Sequence, residues 1–263
     1  MSVLIHELRG AELALRMAVF AALLLAVFSS DRAWAGPPFR TDDPDTVSPG
    51  HWEINNFSAM TSSGKDFSGN LFGIDANYGA ARDIQINVTP RLAFDSPRGS
   101  ATQVGIGDTG FGLKYRFLHE DKDGWRPMAG IYPEIVLPTG NARSNLGTGF
   151  THIFLPLWVQ KSVGKWTTFG GGGYWINPGT GNRNYWYLGW AITRQISKDL
   201  TVGGELFHQT SDIIAGHDQA GFDIGLIYDM TKHTHLLFSV GTGLYNRNGT
   251  NQFSYYTALQ LTF

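Results

Sequence analysis

Phe253-Ser-Tyr-Tyr-Thr-Ala-Leu-Gln-Leu-Thr-Phe263 is the stretch whose reading decides the fold. Phe253, Tyr255, Thr257, Leu259, Leu261 and Phe263 share one face, and Ser254, Tyr256, Ala258, Gln260 and Thr262 share the other. A period of two with one apolar and one polar side describes a β-strand between two different environments. Such a strand needs partners along both edges, and the rest of the chain must supply them.

From His51 onward the same unit recurs, about ten residues of alternation followed by a turn. Ile84, Ile86, Val88, Leu92 and Phe94 oppose Gln85, Asn87, Thr89, Arg91 and Asp95; Thr109, Phe111, Leu113, Tyr115 and Phe117 oppose Asp108, Gly110, Gly112, Lys114 and Arg116. Trp186, Leu188, Trp190 and Ile192 oppose Tyr187, Gly189, Thr193 and Gln195. About twelve segments result, starting near residues 51, 69, 84, 106, 127, 151, 166, 184, 201, 219, 234 and 252. The connections alternate in length. Compact ones at 79–83, 119–124, 163–165, 197–200 and 230–234 are interleaved with longer ones at 61–68, 96–105, 138–149, 177–184, 212–219 and 246–252. Short turns at one end and long loops at the other predict an all-β fold, a transmembrane antiparallel up-and-down barrel of about twelve strands over residues 51–263, with both termini periplasmic. Trp52, Trp166, Trp175, Trp186, Tyr228 and Tyr255 near strand ends are expected to form interfacial girdles. To close the barrel, residues 253–263 must pair with the strand that begins near His51.

The totals agree. With 33 glycines and 13% aromatics the composition leans towards β structure, and a mean hydropathy of -0.14 suits a barrel, in which only alternate residues meet lipid. The net charge of -2 leaves no basic footprint for nucleic acid, and the lack of cysteine excludes disulfides and thiolate chemistry.

At the start of the chain, Arg9 and Arg16 precede the apolar run Met17–Phe28, followed by Ala33-Trp34-Ala35. These are the parts of a secretory signal peptide over residues 1–35, and the run is shorter than the ~20 residues of a spanning helix. Residues 36–50 then carry four prolines, which disfavour helix and central strand alike. The segment is read as a periplasmic lead-in or a plug, with Asp42 and Asp43 as candidate plug residues and Asp42, Asp43 and Asp45 as turn caps around Pro44.

Pro37-Pro-Phe-Arg-Thr-Asp-Asp-Pro44, Gly50-His-Trp-Glu53, Gly105-Ile-Gly-Asp-Thr-Gly-Phe-Gly-Leu-Lys-Tyr-Arg-Phe117, Leu137-Pro-Thr-Gly140 and Phe154-Leu-Pro-Leu-Trp-Val-Gln-Lys161 resemble the outer-membrane porin or transporter family named for the meta-pathway of phenol degradation. The likeness covers most of the chain after residue 35. It implies a barrel in the outer membrane of a Gram-negative bacterium that passes small, often aromatic, organic molecules, and it carries no set of functional residues. Outer-membrane lipid and lipopolysaccharide are then the partners outside. A final strand ending on Phe263 also resembles the closing strand of outer-membrane barrels, which implies recognition by the barrel-assembly machinery.

If the apolar face meets lipid, the other face lines the lumen. Glu53, Asp75, Arg91, Asp108, Lys114, Arg116, Tyr132, Glu134, Glu205 and Asp223 are the candidate permeant-path residues, joined on that face by Asn77, Gln85 and Asp229. Charges of both signs in a narrow space must pair or keep water. They either orient a permeant or hold a closed barrel together. Glycines 170–173 are expected to leave room for a large partner such as Tyr132 or Tyr187. Two other functional classes compete with the channel. A structural or adhesion barrel would act through its loops. A barrel lipid hydrolase would place His and Ser two residues apart on one strand face; none of the eight histidines has that spacing, and His208 and Ser211 are three apart. No catalytic residue, cofactor or metal is assigned. His233 and His235 flank Thr234 without a third ligand nearby and are read as turn residues.

Overall fold

The computed structural model describes residues 38–64, 66–121 and 124–263; the signal-peptide reading of residues 1–35 lies outside them. Fifteen strand segments form one antiparallel sheet. They are β1 (Trp52–Ser63), β2 (Asp66–Ala81), β3 (Ile84–Thr89), β4 (Arg91–Ser96), β5 (Gln103–Ile106), β6 (Thr109–Leu118), β7 (Met128–Ile131), β8 (Glu134–Leu137), β9 (His152–Val163), β10 (Trp166–Ile176), β11 (Tyr185–Gln195), β12 (Leu200–Gln209), β13 (Gln219–Asp229), β14 (Thr234–Tyr245) and β15 (Phe253–Thr262). The pairs β3/β4, β5/β6 and β7/β8 each make one interrupted stave, giving twelve staves in all. Proline explains two of the interruptions, since Pro90 and Pro133 have no N–H for the ladder.

The sheet closes on itself. β15 pairs with β14 on one side and with β1 on the other, where Glu53 faces Thr262, Asn55 faces Gln260 and Phe57 faces Ala258. Trp52 and Phe263 donate N–H to each other's carbonyls at 2.7 and 3.0 Å, which seals the seam at its end. Closure removes the free edges that an open sheet would present.

Alternation then sorts the side chains. Ser254, Ala258 and Gln260 of β15 are buried inside, whereas Phe253 and Leu259 are exposed outside. Ile86, Leu113, Leu155, Leu188, Leu206, Ile224 and Leu236 continue the outer belt. An apolar surface of that extent is stable only when covered by lipid. No helix among the described residues is long and apolar enough to cross a membrane, so the strands are the spanning elements. Exposed Trp52, Trp166 and Tyr228 mark one end and Trp186 the other. Trp175 departs from the expected girdle: it lies on the inner face, stacked on Phe154 at 4.6 Å. Phe154, Trp158, Tyr187, Phe207 and Tyr132 form a buried aromatic cluster beside it.

The strand ends match the sequence reading to within a few residues, with one correction. The expected loop at 61–68 is a tight connection between Ser63 and Asp66, with Gly64 at φ 62°. Serine and threonine there extend the strands, because polar residues are no obstacle to a ladder that rises above the lipid. Across the opposite end the connections at 82–83, 164–165, 196–199 and 230–233 are short, but the one expected to be compact at 119–124 extends over 119–127; both His51 and Phe263 lie at this end. At the long-loop end the connections are stitched together. Arg183 donates its backbone N–H to Asp212 at 2.8 Å, and Asn246 Nδ2 donates to the Asp218 carbonyl at 2.6 Å. A short helix, α1 (Arg247–Thr250), occupies the last of these loops.

One short turn carries a testable charge cluster. Asp83 accepts from Arg116 Nη2 at 2.7 Å and Nε at 2.9 Å, and its other oxygen meets His119 Nε2 at 2.9 Å. Desolvation raises the Asp83 carboxyl, but the hydrogen bonds and charges of Arg116 and His119 outweigh it and hold the group below its ordinary value. A depressed folded value contributes stability above the unfolded pKa, and that stability is lost as pH falls through the folded value. Wild type is therefore expected to lose barrel stability below roughly pH 4, and Asp83→Asn to show less of that acid-dependent loss in urea titrations at matched pH.

Candidate functional site

The inner wall is built from one residue in two of each stave, and its polar members converge on a cavity of about 670 Å³. The cavity runs from the short-turn mouth, at Gly164, Lys165 and Lys198, to Arg91 and Glu134 at mid-barrel. Of the residues singled out in the sequence, Glu53, Asp75, Arg91, Lys114, Tyr132 and Glu134 line it, as do Asp42 and Asp43.

Asp75 of β2 is the hub of one wall. Its Oδ2 accepts from Asn55 Nδ2 at 3.2 Å and Asn77 Nδ2 at 3.0 Å; its Oδ1 accepts from Thr89 Oγ1 at 3.0 Å and from Asn87 Nδ2. Four donors satisfy an inward carboxylate without a formal cation. Asn55 also donates to Glu53 at 3.4 Å and accepts from Gln260 at 3.0 Å, which ties the acidic wall to the seam.

Residues 38–50 cross the lumen. Ser239 Oγ of β14 donates to the Pro38 carbonyl at 2.6 Å, and the backbone N–H groups of Arg40 and Thr41 donate to the two carboxylate oxygens of Glu205 at 2.8 and 2.9 Å. Arg40 then lies over the Phe207 ring at 4.6 Å and reaches Asp223 at 3.7 Å. On the far wall Lys114 Nζ meets Asp42 at 3.0 Å and Asp43 at 3.9 Å, with the Tyr132 ring 4.9 Å away. Arg116 pairs with Asp45, and Val47 donates to Gln85 Oε1 at 2.9 Å. Two prolines of the segment, Pro38 and Pro44, are fully buried, as is Thr41. The expected turn caps also form: Asp43 N–H donates to Asp42 at 2.7 Å and Asp45 N–H to Asp43 at 2.8 Å. The aspartates thus shape the turn and bind the wall together.

The wall is cut to receive this segment. A Cβ at Gly189 would lie 2.0 Å from Thr41 Oγ1, and one at Gly79 2.1 Å from the Ser48 carbonyl oxygen. Tyr132 rests against Gly112, and the Tyr187 hydroxyl lies by Gly189; near neighbours of residues 170–173 include Trp190, Leu188 and Phe154. Of the two tyrosines expected beside residues 170–173, Tyr187 is a cross-strand neighbour, opposite Gly173, and Tyr132 is not. Gly189→Val is expected to displace residues 38–43 while leaving the strand ladder intact. Limited proteolysis checks this: cleavage near Arg40 rises in the variant, with heat-modifiable migration of the barrel unchanged.

Other residues of the polar face stand apart from the cavity. Asp108, between β5 and β6, accepts from Gly140 N–H at 2.9 Å and from Thr148 N–H and Oγ1 at 2.8 Å each. It pins the 138–151 connection inward, with Leu146 buried beneath it. Arg116 serves the turn at Asp83, and Glu205 and Asp223 serve residues 40 and 41. His235 is buried and bonded to Asp229 at 2.7 Å, a correction to its reading as a turn residue, and His233 meets the Thr262 carbonyl at 2.9 Å. Ser211 Oγ donates to the Ile213 carbonyl at 2.7 Å. Among the described residues no group of three His, Asp or Glu has the geometry for a metal ion. The sequence reading misses Thr41, Asn55 and Asn87. For Asn87 the available signal is its place on the polar face; Thr41 carries none.

The sequence profile of the family described as "Putative MetA-pathway of phenol degradation" matches residues 38–263. Among solved structures, an outer membrane channel from Pseudomonas putida F1 superposes with a TM-score of 0.67 at 14% identity, covering 84% of this chain and 98% of that one. The NanC porin gives 0.51 at 10% identity, covering 79% and 98%. The translocator domain of the Neisseria meningitidis autotransporter NalP gives 0.50 at 10% identity, covering 83% and 90%. At these identities the likeness establishes the barrel fold. Among curated proteins none matches.

Proposed function

The chain belongs to that phenol-degradation family, and from this premise we propose that it is an outer-membrane channel for small organic compounds, obstructed at mid-height by residues 38–50. The observation that carries the reading is a closed barrel, apolar outside, whose polar inner wall encloses a cavity of about 670 Å³ reaching one mouth. A barrel that served only as a scaffold would gain stability by filling that space with apolar side chains. The family description points to aromatic permeants, and two of the solved barrels it resembles are described as a channel and a porin. Short turns at the end that carries His51 and Phe263 support a periplasmic position for both. On this reading exposed Phe263 serves in recognition by the barrel-assembly machinery, and the outer belt contacts lipid and lipopolysaccharide.

Reconstitution into liposomes tests the proposal. Swelling in isosmotic solutions of small phenols and sugars is expected for the refolded protein. No permeability to any solute, under conditions where a control porin conducts, would overturn it. Hydrolysis of labelled phospholipid, abolished by His208→Ala or Ser211→Ala, would favour an enzyme instead.

A further inference from the structure

The cations facing the lumen are nearly all neutralised. Lys114 is held by Asp42 and Asp43, Arg116 by Asp45 and Asp83, and Arg40 by Asp223, while Lys165 and Lys198 stand at the mouth. Arg91 is different. Among the described residues its side chain makes no hydrogen bond and no ion pair, and its Nε is buried without a partner. Glu134, Asp75 and Asp108 act on it only through space. Asp75 is saturated by its four donors and Asp108 by Gly140 and Thr148. Among the described residues Glu134 of β8 has neither a hydrogen bond nor an ion pair, and it lines the same cavity.

The backbone makes room around this pair. On β6, a Cβ at Gly110 would lie 3.6 Å from Arg91 Nη2, and one at Gly112 would lie 2.5 Å from Tyr132 Cε2 and 2.6 Å from Asn87 Oδ1. Gly112 must therefore be bare for Tyr132 and Asn87 to meet over it, and the same strand, at Gly110, borders the Arg91 guanidinium. A guanidinium with free N–H groups recognises a carboxylate through two parallel charge-assisted bonds. A free carboxylate nearby accepts from a hydroxyl, and a ring edge or face suits a planar ligand. The cavity volume is in the range that holds small ligands.

We propose that Arg91, Tyr132 and Glu134 form a subsite for a hydroxylated aromatic acid, with the carboxylate on Arg91, the ring against Tyr132 and the hydroxyl donating to Glu134. The proposal rests on the channel reading and narrows its permeant to organic acids. It explains why, among the described residues, Arg91 is left unneutralised at the inner end of a cavity otherwise rich in carboxylates.

Binding is measured directly on the full-length folded protein in detergent, by titration calorimetry with 4-hydroxybenzoate, benzoate and phenol. The expected order of affinity is 4-hydroxybenzoate, then benzoate, then phenol. Arg91→Gln weakens both acids by roughly tenfold or more, the scale of a lost bidentate charge-assisted contact, and leaves phenol unchanged. Arg91→Lys restores part of the loss. Glu134→Gln narrows the gap between 4-hydroxybenzoate and benzoate and keeps the test alive if the arginine variant misfolds. Equal binding of the three probes, or acid binding indifferent to both substitutions, would overturn the subsite. Because the titration needs no flux, its failure is separate from that of the channel reading, which bilayer conductance of the wild type decides.

Discussion

Removing residues 38–46 is expected to raise single-channel conductance several-fold while the barrel remains folded. The segment spans the lumen from Lys114 and Arg116 on one wall to Glu205 and Ser239 on the other, so on the proposed reading it is the obstruction in the path. Its removal exposes Glu205, Asp223, Lys114 and the Asp75 network, all polar, and water replaces the lost partners at small cost. The strand ladder does not depend on it, because closure is made by β1 and β15. Planar-bilayer recording of wild type and deletion, with urea unfolding of both, checks the expectation. An unchanged conductance in a folded deletion variant would move the constriction to the other end, where Asp108 holds Leu146 and the 138–151 connection inward.

The course of residues 38–50 is only half legible in the amino-acid sequence. Prolines 37, 38, 44 and 49 argue against helix and strand, and the aspartates around Pro44 argue for a turn, both local consequences of composition. That Thr41 meets Glu205, 164 residues away, is a tertiary pairing with no local trace. The strands are far more readable, since a lipid face and a lumen face impose a period of two that is broken only locally, as at Leu71 and Phe72, both exposed where the β2–β4 register shifts. The same period survives the interruption at Pro90: Ile86 and Leu92 both point outward, and Gln85 and Arg91 both line the cavity. Aromatics are harder to place. Trp175 occupies an inward position near a strand end, and only the stacking on Phe154 and on Tyr185 at 5.9 Å distinguishes it from a girdle residue such as Trp186. The candidate site residues emerge from the sequence as a face, not as a site. Alternation places Asp75, Arg91, Asp108 and Lys114 inside, but their different duties, as hub, anion-facing cation, loop pin and clamp, depend on neighbours from other staves.

Lys114→Met is expected to have the largest effect of any single change, and its magnitude decides how the segment is held. The lysine side chain is 7% exposed, with Asp42 and Asp43 at 27% and 15%, so the substitution leaves two carboxylates facing an apolar thioether inside the barrel. Breaking such a pair from one side costs about 3–5 kcal/mol when the stranded charge cannot escape. Here escape is available, because the segment can leave the lumen and carry its aspartates into water. The observed loss of stability is therefore bounded by the free energy of seating, and the excess appears as an open channel. Lys114→Met should conduct like the deletion, with a urea midpoint close to the deletion's. Adding Asp42→Asn and Asp43→Asn to Lys114→Met should restore the low conductance, since neutral amides tolerate the lost cation. Arg116→Met serves as the comparison. Its Asp45 partner is 30% exposed, so that carboxylate can turn to water without the segment leaving the lumen, and the effect on conductance should be small. If the triple variant stays open, the segment is held chiefly by Glu205 and the glycine-lined groove at Gly189, and the lysine clamp is secondary.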